Sequence, residues 1–189
     1  MPNSIHDILR EKIEYVKHVE KTLAAKLGLE ELSTGCHVIR NERGWRENEK
    51  YIDYIWIVHV SRSFVGHSCL FSVKFGETHF RKYFNKAEFI EGFFINVSNA
   101  KGHLYTNTAD DTVFDIKHFN KLDLFDANRG IALDGVGYDI RIIAPNIDTR
   151  ISVENPNSKE WIKWEKGIWK VGRKFGEDTD HPGMIQLFT

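Results

Sequence analysis

Three groups of side chains in this 189-residue chain have types and spacings that could do chemistry. The first is His59, His67 and Cys69. If the stretch from Ser61 to Gly66 turns a hairpin, antiparallel pairing sets His59 opposite His67 and Ile57 opposite Cys69, all on one face. Neutral imidazole and thiolate are good zinc ligands, and histidine titrates near neutral pH. The patch could therefore hold a metal ion or serve a hydrolase as an acid/base pair. The plainer reading is a partly exposed histidine pair beside a buried cysteine, since the sequence names no third or fourth ligand.

The second group is acidic. Asp110, Asp111, Asp115, Asp123 and Asp126 fall in a stretch whose only fixed positive charges are Lys117 and Lys121. Such a loop could enter a basic groove on a protein partner, mimicking phosphate spacing and speeding association by electrostatic steering. Asp110 and Asp111 alone make no chelate, because adjacent residues on a strand point to opposite faces.

The third group is basic and aromatic. His79-Phe80-Arg81-Lys82-Tyr83-Phe84-Asn85-Lys86 interleaves cations with rings, a combination that can neutralise phosphates and stack on bases in RNA or single-stranded DNA. The 3-to-4-residue spacing of its rings favours their burial instead. Glycine-rich phosphate loops, the dinucleotide fingerprint, the zinc-protease helix motif and the serine elbow are all absent from the sequence. With 26 Lys+Arg against 27 Asp+Glu, a net charge of -1 and a pI near 6.8, the chain lacks the global signature of a dedicated nucleic-acid binder or a polybasic membrane protein.

These groups need elements to position them. Ile5, Leu9, Ile13, Val16, Leu23 and Leu27 repeat at helical spacing, with Ser4 and Asp7 as a capping box and Gly28 as the stop, so residues 4–27 read as a helix. Lys12 and Glu20 would lie at the border of its stripe as snorkelling charges. Short β-rich runs follow at about 36–41, 51–60, 66–75 and 89–97, then near 111–117, 130–134, 137–144 and 148–153. In the 51–60 run Tyr54, Trp56 and Val58 point one way and Ile55 and Ile57 the other, as in a central strand covered on both faces. Connections this short favour an antiparallel meander.

Pro156 stops the last strand, and Asn157 with Glu160 signals a closing helix over about 158–174. Its Trp161, Trp164, Ile168, Val171 and Phe175 fall on one side and Lys159, Lys163, Lys166, Lys170 and Lys174 on the other. Gly167 and Gly172 each weaken that helix by roughly 1 kcal/mol relative to Ala. The fold class is therefore α+β, an antiparallel sheet of about six to eight strands covered by an N-terminal and a C-terminal amphipathic helix. Residues 1–175 form one domain and 176–189 a loosely attached tail.

The first thirty residues lack the basic leader and continuous apolar stretch of a signal peptide, and the most apolar run, 54–60, is far short of the roughly 20 residues of a membrane span. Cys36 and Cys69 have no C-x-x-C partner and read as free thiols in a reducing cytoplasm. From about 131 to 171, Leu133-Asp134-Gly135, the strand ending Tyr138-Asp139-Ile140-Arg141-Ile142, Ile151-Ser152-Val153 and Asn155-Pro156-Asn157 before the closing helix resemble the C-terminal part of small bacterial proteins. Some of these are similar to immunity proteins of polymorphic or contact-dependent toxin systems. The resemblance spans about a fifth of the chain. It implies a cytoplasmic protein that binds one cognate toxin and blocks it without catalysis, cofactor or membrane. The acidic residues from Asp110 to Asp126 are the expected contact surface, with the His59–His67–Cys69 hydrolase and the nucleic-acid module as alternatives.

Overall fold

The first helix, α1 (Ile5–Leu27), ends where Gly28 adopts a left-handed φ of 72°. There the Gly28 and Leu29 amides bond back to the carbonyls of Ala25 and Ala24, and Lys50 Nζ donates to the Leu27 carbonyl. The structure, a computed structural model, describes residues 5–76, 90–96, 99–107, 122–125, 127, 135–178 and 180–189. The expected strands at 111–117 and 130–134 and the basic aromatic segment 79–86 lie outside them.

The chain after α1 builds an open antiparallel sheet from β1 (Gly35–Arg40), β2 (Arg46–Arg62), β3 (Gly66–Phe75), β4 (Ile90–Asn96), β5 (Asn99–Asn107), β6 (Val136–Ala144) and β7 (Ile147–Glu154). The strand order is β5-β4-β3-β2-β6-β7. Ile52 of β2 pairs with Gly35 of β1 on one side and Phe75 of β3 on the other. β1 and β6 thus occupy successive stretches of the same edge of β2. β2 is 17 residues long, and it begins five residues earlier than its apolar alternation suggests, because the polar run Arg46-Glu47-Asn48-Glu49-Lys50 pairs with β1.

The faces of β2 divide the core as its alternation requires. Trp56, Val58 and Val60 join Tyr138, Ile140, Val153 and the buried residues Trp161, Trp164 and Ile168 of α2 (Lys159–Asp178). Ile55 and Ile57 join Val19, Leu23, Ala24 and Leu27 of α1. Each large apolar side chain buried this way contributes roughly 1.5–3 kcal/mol. All five lysines of α2 from Lys159 to Lys174 are exposed. The helix starts one residue later than its sequence signal, with the Ile162 amide bonded to the Ser158 carbonyl. Among the described residues no helix is long and apolar enough to cross a membrane.

The C-terminal segment is docked, contrary to the expectation of a loose tail. His181 caps α3 (Pro182–Leu187) by accepting the Met184 amide at Nδ1, and Met184, Leu187 and Phe188 are buried in the core with α2. Two glycines of α2 make room for the segment. A Cβ on Gly172 would stand 2.5 Å from the Phe188 ring, and one on Gly176 would stand 3.0 Å from the Ile185 backbone. Arg62 then clasps the segment: Nη1 donates to the Gln186 and Leu187 carbonyls, and its guanidinium lies 5.4 Å from the centre of the Trp169 ring.

Candidate functional site

The expected pairing of His59 with His67 does not form. The register sets His59 opposite Cys69, Ser61 opposite His67 and Ile57 opposite Phe71. The turn centres one residue later than expected, on Phe64, whose φ of 62° closes a three-residue loop. Ser63 holds that turn in place, donating its amide to the Gly135 carbonyl and accepting the Gly135 amide on Oγ. A one-residue change at the turn centre moves each partner by two positions, so the same face is kept and the pairs change.

On that face the sheet carries a polar row. Cys69 of β3, His59 of β2, Asp139 of β6 and Ser152 of β7 are successive cross-strand neighbours, and the Ser152 hydroxyl donates to Asp139 Oδ1. Tyr15 of α1 covers the row, its ring 5.8 Å from that of His59 and 6.4 Å from that of His67. Burial, and secondarily the charge that Cys69 would carry, push the Tyr15 phenol well above its ordinary pKa, so it stays a neutral plug. Cys69 is fully buried and His59 only 6% exposed, so the thiol has no open path to a substrate. Among the described residues no three His, Cys, Asp or Glu side chains are grouped to hold a metal ion.

Beside this row α1 and the sheet part to leave a cleft of about 340 Å³, with Ile13, Val16 and Lys17 on one side and Asp139, Arg150 and Ser152 on the other. The cleft ends at an ion-pair cluster. Glu20 accepts from Arg141 Nη1 at 2.6 Å and from Arg150 Nη2 at 2.8 Å, while Asp148 takes the other edge of Arg141 at 2.9 and 2.8 Å. The hydrogen bonds from Arg141 hold the Asp148 carboxyl below its ordinary pKa, and those same bonds raise Arg141. Glu20 is therefore a clasp between helix and sheet, not the snorkelling border residue that the helical wheel suggested.

A different surface lies at the end of the sheet where β7 passes into α2. Hydrogen bonds link Ser63 to Gly135, Val136 to Asn155, and Asn157 to Ala127 in series across this end. Trp161 Nε1 donates to the Asp123 carbonyl at 2.9 Å, and Asp123 Oδ1 accepts the Phe125 amide at 2.9 Å. The described residues of the segment are held by these bonds and by Leu122 and Ala127 packed against the core, while two apolar side chains face water: Phe125 is fully exposed and Leu124 is 46% exposed. Phe64, at the neighbouring hairpin turn, is 92% exposed. Of the acidic residues singled out in the sequence, Asp123 lies here; Asp110, Asp111, Asp115 and Asp126 lie outside the described residues.

Tyr15 and Arg150 escaped the sequence reading, and Asp139 and Arg141 entered it only as part of a strand, with no role at a site. Asp139 and Arg141 alternate with Tyr138, Ile140 and Ile142, a signal that reads as a solvent-facing edge until a helix is known to cross it. Compared with family models, curated proteins and solved structures, the chain finds no match.

Proposed function

We propose that the protein is a non-catalytic, protein-binding inhibitor: an immunity protein of the bacterial cytoplasm that binds and occludes a cognate toxin, one with a basic nuclease-like groove. The reading takes a sheet of six to eight strands, with an amphipathic helix over each face, as a rigid scaffold for one contact surface. The observation that carries it is the outward presentation of Leu124 and Phe125 beside the Asp123 carboxylate, on a segment whose described residues are held by hydrogen bonds and by Leu122 and Ala127 packed against the core. Here the ordering cost of binding is already met within the monomer, and covering one phenyl group returns roughly 2–3 kcal/mol. Exposed aromatics in a polar surround are the usual anchors of protein interfaces. The acids clustered in sequence around them supply complementary charge for a basic partner.

The test is co-expression of the full chain with the product of the gene immediately upstream, followed by purification on the full chain. A stoichiometric complex that weakens at high salt, and that Phe125→Ala and Leu124→Ser both weaken, is the expected result. No complex, or one indifferent to both substitutions, contradicts the reading.

A further inference from the structure

We infer that the outer edge of β7 pairs with β7 of a second copy of this chain, antiparallel and centred on Thr149, an interface separate from the Leu124–Phe125 surface. Among the described residues three strands have a neighbour on one side only: β1, β5 and β7. Such edges invite pairing with another chain unless a bulge, a proline or a lysine blunts them. The ladders that hold β1 and β5 each carry a register shift, at Ile39/Arg40 and at Ile95/Asn96. β7 follows β6 for eight residues without one, contains no proline or lysine, and its first four residues are exposed. The charges that could guard this edge are answered within the chain, Arg150 by Glu20 and Asp148 by Arg141.

The residues of β7 select both the partner and the register. The two-residue turn at Pro145–Asn146, with Asn146 at a φ of 63°, closes on Ala144 and Ile147. Odd-numbered residues of β7 therefore bond to β6, and even-numbered ones turn their amides and carbonyls outward. Two copies related by a twofold axis must pair even with even, which puts the axis through a residue. Asp148 and Arg150 stay 54% and 56% exposed, so what faces them across a new ladder counts. An axis through Asp148 or Arg150 sets that charge against itself, and one through Ile151 sets Asp148 against Glu154. An axis through Ser152 matches Arg150 with Glu154 but carries Ile147 past the end of the strand. An axis through Thr149 sets Asp148 against Arg150 in both directions. On the other face it lays Ile147, 51% exposed, against Ile151, which already packs on the core beside α2. The edge is thus complementary to itself in charge and in apolar surface.

Analytical ultracentrifugation of the full chain between about 1 and 500 μM tests this, with a reversible monomer–dimer equilibrium expected. Thr149 is exposed and meets its own copy on the axis. Thr149→Lys sets two ammonium groups against each other there and should weaken the dimer by about tenfold or more, with the monomer as stable as before. Thr149→Cys, made together with Cys36→Ser, reads the register. Oxidised glutathione should join two such chains through residue 149, whereas Ile147→Cys in the same background, opposite Ile151 and not itself, should run as single chains in denaturant. If Thr149→Lys fails to fold, the comparison of the two cysteine variants decides alone. A chain that stays monomeric up to about 500 μM, which would leave the edge to a strand of some other protein, overturns the proposal. So does a dimer indifferent to a folded Thr149→Lys variant, or cross-linking through residue 149 no greater than through residue 147.

Discussion

Tyr138 shows how much a single buried hydroxyl can bind together. Its oxygen accepts Trp169 Nε1 at 2.7 Å and donates to Glu165 Oε1 at 2.6 Å, tying β6 to two turns of α2. Burial first, and the Glu165 carboxylate second, push the phenol far above its ordinary pKa. Tyr138→Phe should cost about 1–2 kcal/mol in urea unfolding at pH 7, because Trp169 Nε1 loses its acceptor and Glu165 its donor. The pH dependence has a definite sign. A folded-state pKa above the unfolded value of about 10 means that the contribution is complete below pH 10 and falls as pH rises further. The natural protein should therefore lose stability above about pH 10 more steeply than Tyr138→Phe, measurable by unfolding at a series of alkaline pH values. None of this was legible in the sequence beyond the alternation of Tyr138, Ile140 and Ile142. Glu20 is a similar case: its partners Arg141 and Arg150 lie 121 and 130 residues away, and no local pattern encodes an ion pair at that separation.

At the scale of elements, periodicity identified what is apolar and missed what is polar or small. Leu23 and Leu27 of the α1 stripe, the two-sided alternation of β2 and the tryptophan face of α2 follow from residue spacing and enter the core, while Ile13 of the same stripe stays 55% exposed. The first five, polar residues of β2 and the whole of β5, Asn99–Asn107, carry no such alternation and were not foreseen. The docked C-terminus was hidden for another reason. Gly172 looked like a defect in a helix, although it is the notch that admits Phe188. Gly172→Ala is therefore expected to reverse the usual order. In place of a gain of roughly 1 kcal/mol from helix propensity, crowding against the Phe188 ring should destabilise the protein by about 1–2 kcal/mol and expose the C-terminus to carboxypeptidase. Glu20→Gln tests the other helix. Removing one charge from the partly buried cluster with Arg141 and Arg150 should cost about 1–3 kcal/mol and speed amide exchange in α1 relative to β2 and β3.

For the molecule as a whole, near-equal numbers of acids and bases conceal a division of surfaces. The lysines of α2 line one exposed face, the Glu20 cluster holds α1 to the opposite side of the sheet, and the end carrying Phe64, Leu124 and Phe125 shows exposed rings beside Asp123. The sequence pointed to the acidic stretch but could not say which rings would be outside. That depends on Trp161 Nε1 and the Asn157 amide, which hold residues 123 and 127 against the start of α2. Hydrogen exchange on the complex with the cognate partner tests the central claim most directly. Binding should protect amides at 122–127 and around the Phe64 turn and leave the α1 cleft and the lysine face of α2 unchanged. Protection confined to α1 or to the lysine face, with residues 122–127 exchanging as in the free protein, would contradict the account.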